Sequence, residues 1–345
     1  MKIVITDDRF GWNDEELRVF GDFFVPGRGG AELVTANCHT EQDLISACSG
    51  ADAILLNQAP MTARVIATLD RCQVISRYGI GYDNVDIKAA SEAGIWVTNV
   101  PGYCTDEVAE HALGLLLSCV RAIPARNALV KQGGWNLNLP VRRMAGGILG
   151  IVGFGATGRA FWEKARGFAF SRVLVADPRA KAKIAGYRAG EKTEAASFDE
   201  LIRRSDFISF HVPLNEATRR CVNKKTLGRM KDGVILVNTA RGAVIDEQAL
   251  AKALESGKVA AAGLDVFESE PLRADHPFFN LPNVVLSDHS AYYSRESVSE
   301  LKTRTALNAR EVLEGRIPRT PVNRPGDVGE NRVRGEILEA KEGTA

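Results

Sequence analysis

The sequence predicts an α/β protein built on two doubly wound parallel sheets. Three observations predict it. Short, almost wholly apolar runs alternate with amphipathic stretches along the chain, as expected of strands buried on both faces and joined by crossover helices. The 345 residues are enough for two domains of this kind. A breaker cluster, Asn99-Val100-Pro101-Gly102, separates one small α/β unit from a second that begins at Ile148.

Taken in order, Ile3–Thr6 reads as a strand. Thr40–Ala47 reads as a helix, with Thr40 as cap and Asp43 as first-turn acid. Ala53–Leu56 and Val74–Arg77 are short buried strands, Asp86–Glu92 a helix and Ile95–Thr98 a further strand. After the breaker, Thr105–Arg121 is a long helix rich in Ala and Leu. The second unit has six expected strands: Ile148–Val152, Val173–Asp177, Phe207–His211, Val234–Asn238, Ala260–Val266 and Val284–Ser287. Phe198–Arg203 and Glu247–Ser256 are helices between them, and Glu296–Leu313 is a closing helix that ends at Gly315 and the loop Pro318–Pro321. From Arg324 onward the chain is Gly- and charge-rich, and 324–345 reads as a flexible tail.

Composition excludes several classes. With 44 basic against 43 acidic residues the net charge is +1, which argues against nucleic-acid or membrane-surface binding by bulk charge. No apolar run reaches the roughly 18–20 residues that a membrane span needs. The N-terminal MKIVITDDRF meets Asp7 and Asp8 too early for a signal peptide, so a cytoplasmic protein is expected. Cys38, Cys48, Cys72, Cys104, Cys119 and Cys221 are scattered without a C-x-x-C spacing. They read as reduced, mostly buried thiols, and no metal site is expected.

Gly153-Phe154-Gly155-Ala156-Thr157-Gly158 matches G-x-G-x-x-G, a weak signal alone and a strong one in its setting. A buried strand precedes it, the helical stretch Arg159–Arg166 follows, and the next strand ends in Asp177. Glycines let the backbone approach a pyrophosphate, and the helix N-terminus presents unpaired N–H groups to it. Asp177 suits the adenosine ribose hydroxyls and repels the 2′-phosphate of NADP, so NAD is the expected cofactor and NADP the less favoured one. Arg179 and Lys181 lie just beyond and soften that bias.

Three segments follow later strands of the same sheet: Asn238-Thr239-Ala240-Arg241-Gly242, Gly263 to Pro271, and Ser287-Asp288-His289-Ser290-Ala291. Ligands of open α/β sheets bind at the carboxyl ends of strands, so Arg241, Glu270 and His289 converge on the cofactor. Reduction of a 2-oxo acid needs a guanidinium for the carboxylate and an acid for the new alkoxide; a neighbouring carboxylate orients the imidazole.

With these motifs the chain resembles the D-2-hydroxyacid dehydrogenase family from about residue 50 to 323. Tyr78-Gly79-Ile80-Gly81-Tyr82-Asp83-Asn84-Val85-Asp86, T-A-R-G and L-D-V-F-E…E-P stand in the family order. Within the family it looks most like the bacterial relatives of the C-terminal-binding proteins. The resemblance implies a Rossmann-like NAD domain, 100–289, inserted in a flavodoxin-like substrate domain, 1–99 and 290–323. It implies that Arg241 orients substrate, Glu270 pairs with His289, and His289 is the general acid/base. Gly153, Gly155, Ala156, Thr157, Gly158, Asp177, Thr105, Val212, Thr239, Ala240, Arg241, Asp265 and His289 fall at cofactor positions, Asp265 near the nicotinamide amide. Arg77, Tyr78, Gly79, Ile80, Gly81 and Tyr292 fall at substrate positions. The family also implies a homodimer formed through Thr105–Arg143, and a substrate cleft closing about hinges near Asn99–Pro101 and Asp288–Tyr292. Two departures stand out: Ala156 replaces the basic residue often found in the glycine loop, and Tyr292 stands where the closest group has Trp.

Other readings are open at this point. Arg77 either meets substrate or pairs with Asp83 or Asp86. His211 reads as structural, His111 as buried or interfacial, and His39 and His276 as loop residues. The main reading is hydride exchange between NAD(H) and C2 of a small D-2-hydroxy acid or 2-oxo acid. The alternative is an NAD(H)-responsive protein-binding scaffold with vestigial catalysis. Oxidation of formate or phosphite ranks lower, because formate enzymes usually carry Gln where Glu270 stands.

Overall fold

The computed structural model describes residues 1–24, 30–136, 138, 141–187 and 192–325. The expected tail therefore lies outside the described residues beyond position 325. The chain divides into two compact units, residues 1–103 with 294–345, and 104–293.

In the first unit β1 (Lys2–Ile5), α1 (Asp14–Phe20), β2 (Glu32–Thr35), α2 (Glu41–Ala47), β3 (Ala53–Leu56), α3 (Ala63–Ile66), β4 (Val74–Arg77), α4 (Ile87–Glu92) and β5 (Trp96–Thr98) follow one another. The five strands are parallel in the order β2-β1-β3-β4-β5, the flavodoxin-like arrangement. Every side chain of β3 is buried, which is why Ala-Ile-Leu-Leu carries no polar residue. Thr40 and Asp43 form a reciprocal cap at the start of α2, each satisfying an N–H that the helix leaves unpaired.

The second unit begins with α5 (Thr105–Arg121) and α6 (Ile123–Lys131). It continues through β6 (Ile148–Val152), α7 (Ala156–Ala165), β7 (Arg172–Ala176), α8 (Ala180–Gly186), β8 (Thr193–Ala195), α9 (Phe198–Arg204) and β9 (Phe207–Phe210). Then come α10 (Lys224–Arg229), β10 (Val234–Asn238), α11 (Glu247–Glu255), β11 (Val259–Leu264) and β12 (Val284–Leu286). The sheet has seven parallel strands, β12-β11-β10-β9-β6-β7-β8, one more than expected, because the edge strand β8 is only three residues long. Its order reverses between β6 and β9, which is the switch point where a doubly wound sheet opens a binding crevice. On one face α5 buries Ala109, Ala112, Leu115, Leu116, Cys119 and Val120 along a helical stripe. It lies so close to β11 that a Cβ on Gly263 would come within 2.8 Å of the Leu115 side chain.

Finally α12 (Arg295–Leu313), capped by Ser294, returns the chain to the first unit and packs on α1 and β4. The boundaries fall four residues later than expected at both crossings. Val100 N–H bonds Gly79 C=O in the first unit, whereas Ser290 and Ala291 bond Asp265 in the second. Among the described residues no single helix is long and apolar enough to cross a membrane, and no group of three or more potential ligands could hold a metal. Five of the six cysteines are buried; burial pushes the Cys38 thiol up to about 11 and the Cys119 thiol up to about 12, so both stay protonated.

Candidate active site

The glycine loop joins β6 to α7. Gly153 has φ +92°, and a Cβ there would lie 2.4 Å from the His211 carbonyl oxygen; on Gly158 it would lie 2.1 Å from the Gly153 carbonyl oxygen. These two glycines are required by the fold's own backbone. Gly155 differs: a Cβ there would meet nothing within 4 Å. It opens on space at the start of α7, whose first turn has no side-chain cap. Uncapped N–H groups beside an open glycine make a cradle for a pyrophosphate. Ala156 is exposed and Thr157 half-buried on this turn. At the end of β10, two strands from β6, Thr239 Oγ1 is buried with no hydrogen-bond partner. The residues present fit a dinucleotide.

Asp177, just past β7, accepts the Phe154 N–H at 2.9 Å and so clips the glycine loop to the second strand. The Arg179 N–H, at 2.9 Å, and the Lys183 ammonium, at 2.6 Å, also bond it. Val212 follows β9 and lines the loop's other side, its side chain within 2.9 Å of where a Gly153 Cβ would be.

His289 and Glu270 are joined at 2.6 Å, Nδ1 to Oε2. Glu270 Oε1 also accepts the Phe267 N–H at 2.9 Å. Burial raises the Glu270 carboxyl, but the His289 bond, the Phe267 N–H and the nearby Arg241 charge outweigh it and hold the group below its ordinary value. An ionised Glu270 accepts, so Nδ1 carries the proton toward it and Nε2 points elsewhere. Arg241 follows β10, and its Nη1 donates to the Ala240 carbonyl at 2.8 Å. Asn238 fixes this turn, accepting the Ala240 N–H at 3.0 Å and donating to the Arg241 carbonyl at 2.9 Å. Gly242 allows the Arg241 turn to touch the Glu270 loop, since a Cβ there would sit 1.8 Å from the Phe267 carbonyl carbon. The Tyr292 ring lies edge-on to His289, 6.4 Å between centroids.

Asp265 lies just past β11. It is 1% exposed, and its two oxygens are taken from within the protein. Oδ1 accepts from Ser287 Oγ at 2.6 Å and the Ser290 N–H at 3.0 Å, and Oδ2 accepts the Ala291 N–H at 3.0 Å. His111 of α5 joins this network, its Nε2 2.8 Å from Ser287 Oγ. The carboxylate is turned to the His289 loop and holds it, a task the sequence did not suggest. Thr105 opens α5 in the same unit.

His211 directly follows β9. Burial pushes it down to about 3, so the ring is neutral at physiological pH; it packs on Phe161 and bonds Ser209 Oγ at 2.9 Å. His276 caps the turn at Pro277–Asn280 and bonds Glu247 at 3.1 Å.

In the first unit, Gly79 has φ +141° beside Arg77, whose Nη1 donates to the Tyr78 carbonyl. Tyr78 was expected at the substrate, but its ring is buried and its hydroxyl donates to Glu16 at 2.6 Å. Lys302, 1% exposed, pairs with the same carboxylate at 3.3 Å. Tyr78 thus anchors the turn from inside the core. Ile80 is exposed, and Gly81 is half-buried next to it.

A seven-stranded sheet with this glycine loop, acid and uncapped helix defines a dinucleotide-binding domain. Residues 113–291 match the family described as D-isomer specific 2-hydroxyacid dehydrogenase, NAD binding domain, and the chain belongs to that family. It is 36% identical to a glyoxylate reductase of Korarchaeum cryptofilum over 89% of this chain and 96% of the relative. It is 40% identical to a hydroxypyruvate reductase of Thermotoga maritima over 75% of this chain and 84% of the relative. Among solved structures, a glyoxylate reductase from Paecilomyes thermophila superposes with a TM-score of 0.81 at 29% identity, covering 93% of this chain and 98% of that one. The protein is an NAD-dependent D-2-hydroxyacid dehydrogenase.

Proposed function

We propose that the chain reduces small 2-oxo acids of the glyoxylate and hydroxypyruvate class to their D-2-hydroxy acids. Arg241 orients the carboxylate, and the His289–Glu270 pair serves as general acid/base. The pair at 2.6 Å, with Glu270 held ionised, is the observation that carries this reading. The names of the relatives supply the substrate class. When bound, a nicotinamide cofactor held by these residues would supply the hydride chemistry at substrate C2. His289 delivers a proton from Nε2 to the substrate oxygen as the carbonyl is reduced and takes it back in the reverse direction. Glu270 fixes the ring's tautomer and orientation through Nδ1. Arg241 offers a planar fork matched to a carboxylate. Arg77, Ile80, the Gly79 and Gly81 amides and Tyr292 are assigned to the substrate side, and Tyr78 to the support of that turn. Thr105, Val212, Thr239 and Ala240 are assigned to the cofactor side.

The intact acid/base pair disfavours a scaffold with vestigial catalysis. We assign the protein to the cytoplasm and read it as a homodimer. The support for a dimer is α6: none of its residues is buried, it exposes Ile123 and Val130, and Trp135 beyond it is 78% exposed.

A screen of NADH oxidation over glyoxylate, hydroxypyruvate, pyruvate and phenylpyruvate tests the substrate class. Glyoxylate or hydroxypyruvate is expected to give the highest kcat/KM. His289→Asn is expected to lose about 10²–10⁴ in turnover while still binding NADH. Full activity in that variant would remove His289 from the chemistry.

A further inference from the structure

Asp177 stands where an acidic residue takes the adenosine ribose hydroxyls and excludes a 2′-phosphate. In this chain that acid is already neutralised from its own side. The Lys183 ammonium, one turn and a half further along the chain in α8, lies 2.6 Å from Oδ2, which also takes the Phe154 N–H. The Lys183 side chain is 21% exposed and that of Asp177 8%, so the pair is shielded more than a typical surface pair. Burial raises the Asp177 carboxyl, but Lys183 and the two backbone N–H groups outweigh it and hold the carboxyl below its ordinary value. The net charge of the pair is therefore near zero at the one place where this fold rejects NADP by charge. Lysine is a compact cation on a flexible stem, able to leave a carboxylate for a phosphate within reach. Exposed Arg179, two residues past Asp177, adds a second cation to the same rim.

We propose that Lys183 is a specificity-determining residue for the nucleotide: resting on Asp177, it offsets the exclusion of a 2′-phosphate and turns to that phosphate when it arrives, so the protein accepts NADPH as well as NADH. The proposal rests on the cofactor site alone and is independent of the substrate assignment.

The test is titration of the whole protein with NADH and with NADPH in the absence of substrate, read by tryptophan fluorescence or calorimetry. Wild type is expected to bind NADPH within about tenfold of NADH, a gap of about 1.4 kcal/mol at most. Lys183→Gln is expected to weaken NADPH about tenfold, the loss of one charge-assisted contact, and to leave NADH within about twofold. Lys183→Arg should retain NADPH binding. Asp177→Asn added to Lys183→Gln should recover it, because the repelling acid is gone. An NADPH-to-NADH affinity ratio unchanged by Lys183→Gln would overturn the proposal, as would wild-type binding of NADH with none of NADPH. Loss of NADH binding by wild type would instead overturn the cofactor reading itself.

Discussion

Ser287 donates to Asp265 at 2.6 Å, and through this bond the exit of β12 is tied to the end of β11. The same carboxylate takes two successive N–H groups, those of Ser290 and Ala291, while its backbone carbonyl accepts the His289 N–H at 2.9 Å. His289 itself sits at φ +55°, a conformation that costs a non-glycine residue roughly 1–2 kcal/mol. Asp265 is what holds it there. The ring proposed to move the proton is thus aimed by a buried acid that touches neither the ring nor, through its carboxylate, any open space.

Asp265→Asn keeps the volume but sets an NH2 group against at least one backbone N–H, which costs about 1–3 kcal/mol. The His289 loop should relax from its left-handed turn. We expect kcat to fall about tenfold or more, with NADH affinity within about threefold of wild type. Steady-state kinetics with a parallel fluorescence titration separates the two quantities. Native kcat in this variant would show that the hub does not aim His289.

Glu270 ties its bond with His289 to acid stability. Its carboxyl lies below its ordinary value of 4.5 in the folded chain. As pH falls through that range the unfolded chain binds the proton first, so the stability Glu270 contributes is present above about pH 4.5 and is lost as pH drops through the lower folded value. Glu270→Gln removes that loss. Its melting temperature should depend less steeply on pH between 7 and 3 than that of wild type, and its kcat should fall at all pH values because the ring is no longer held. Identical melting curves across this range would break the assigned pair.

Much of this was legible from residue order. The apolar runs that became β3, β6, β9 and β10 needed only burial on both faces, and Arg241, Glu270 and His289 stood in the loops that follow strands β10, β11 and β12, where an open sheet presents its ligands. What escaped reading has two causes. The edge strands β2 and β8 are short and partly exposed, and α6 has no buried stripe, so their apolar signal is faint. The rest are side-chain meetings that no local pattern encodes. His111 reaches Ser287 across 176 positions, Tyr78 turns inward because Glu16 and Lys302 await it, and Lys183 finds Asp177 from a helix that the sequence did not announce.

The exposed apolar residues Ile123, Val130 and Trp135 give the dimer reading a direct test. Trp135→Glu places a charge where a contact is proposed to be dry, and an unpaired buried charge is costly. Dimer dissociation should strengthen about 100-fold or more, a change sedimentation velocity detects across a dilution series. Wild type remaining monomeric at micromolar concentration would remove the homodimer assignment.

Two glycines separate binding from folding. A methyl on Gly155 meets no protein atom within 4 Å, so Gly155→Ala should melt within about a degree of wild type. It would still fill part of the space where the pyrophosphate approaches the start of α7, and NADH affinity should drop about tenfold or more. Gly242→Ala is the reverse case. Its methyl would lie 1.8 Å from the Phe267 carbonyl carbon, so the backbone itself must move, and overpacking of this kind costs about 1–3 kcal/mol. That displacement pushes the Arg241 turn away from the loop that carries Glu270. The variant should melt several degrees lower and lose turnover, and NADH affinity should fall less than in Gly155→Ala, because the glycine loop lies on other strands and only Thr239 and Ala240 ride on the displaced turn. Calorimetric melting and NADH titration of both variants give opposite signatures. If Gly155→Ala lost stability and kept NADH, the open space before α7 would not be the pyrophosphate site.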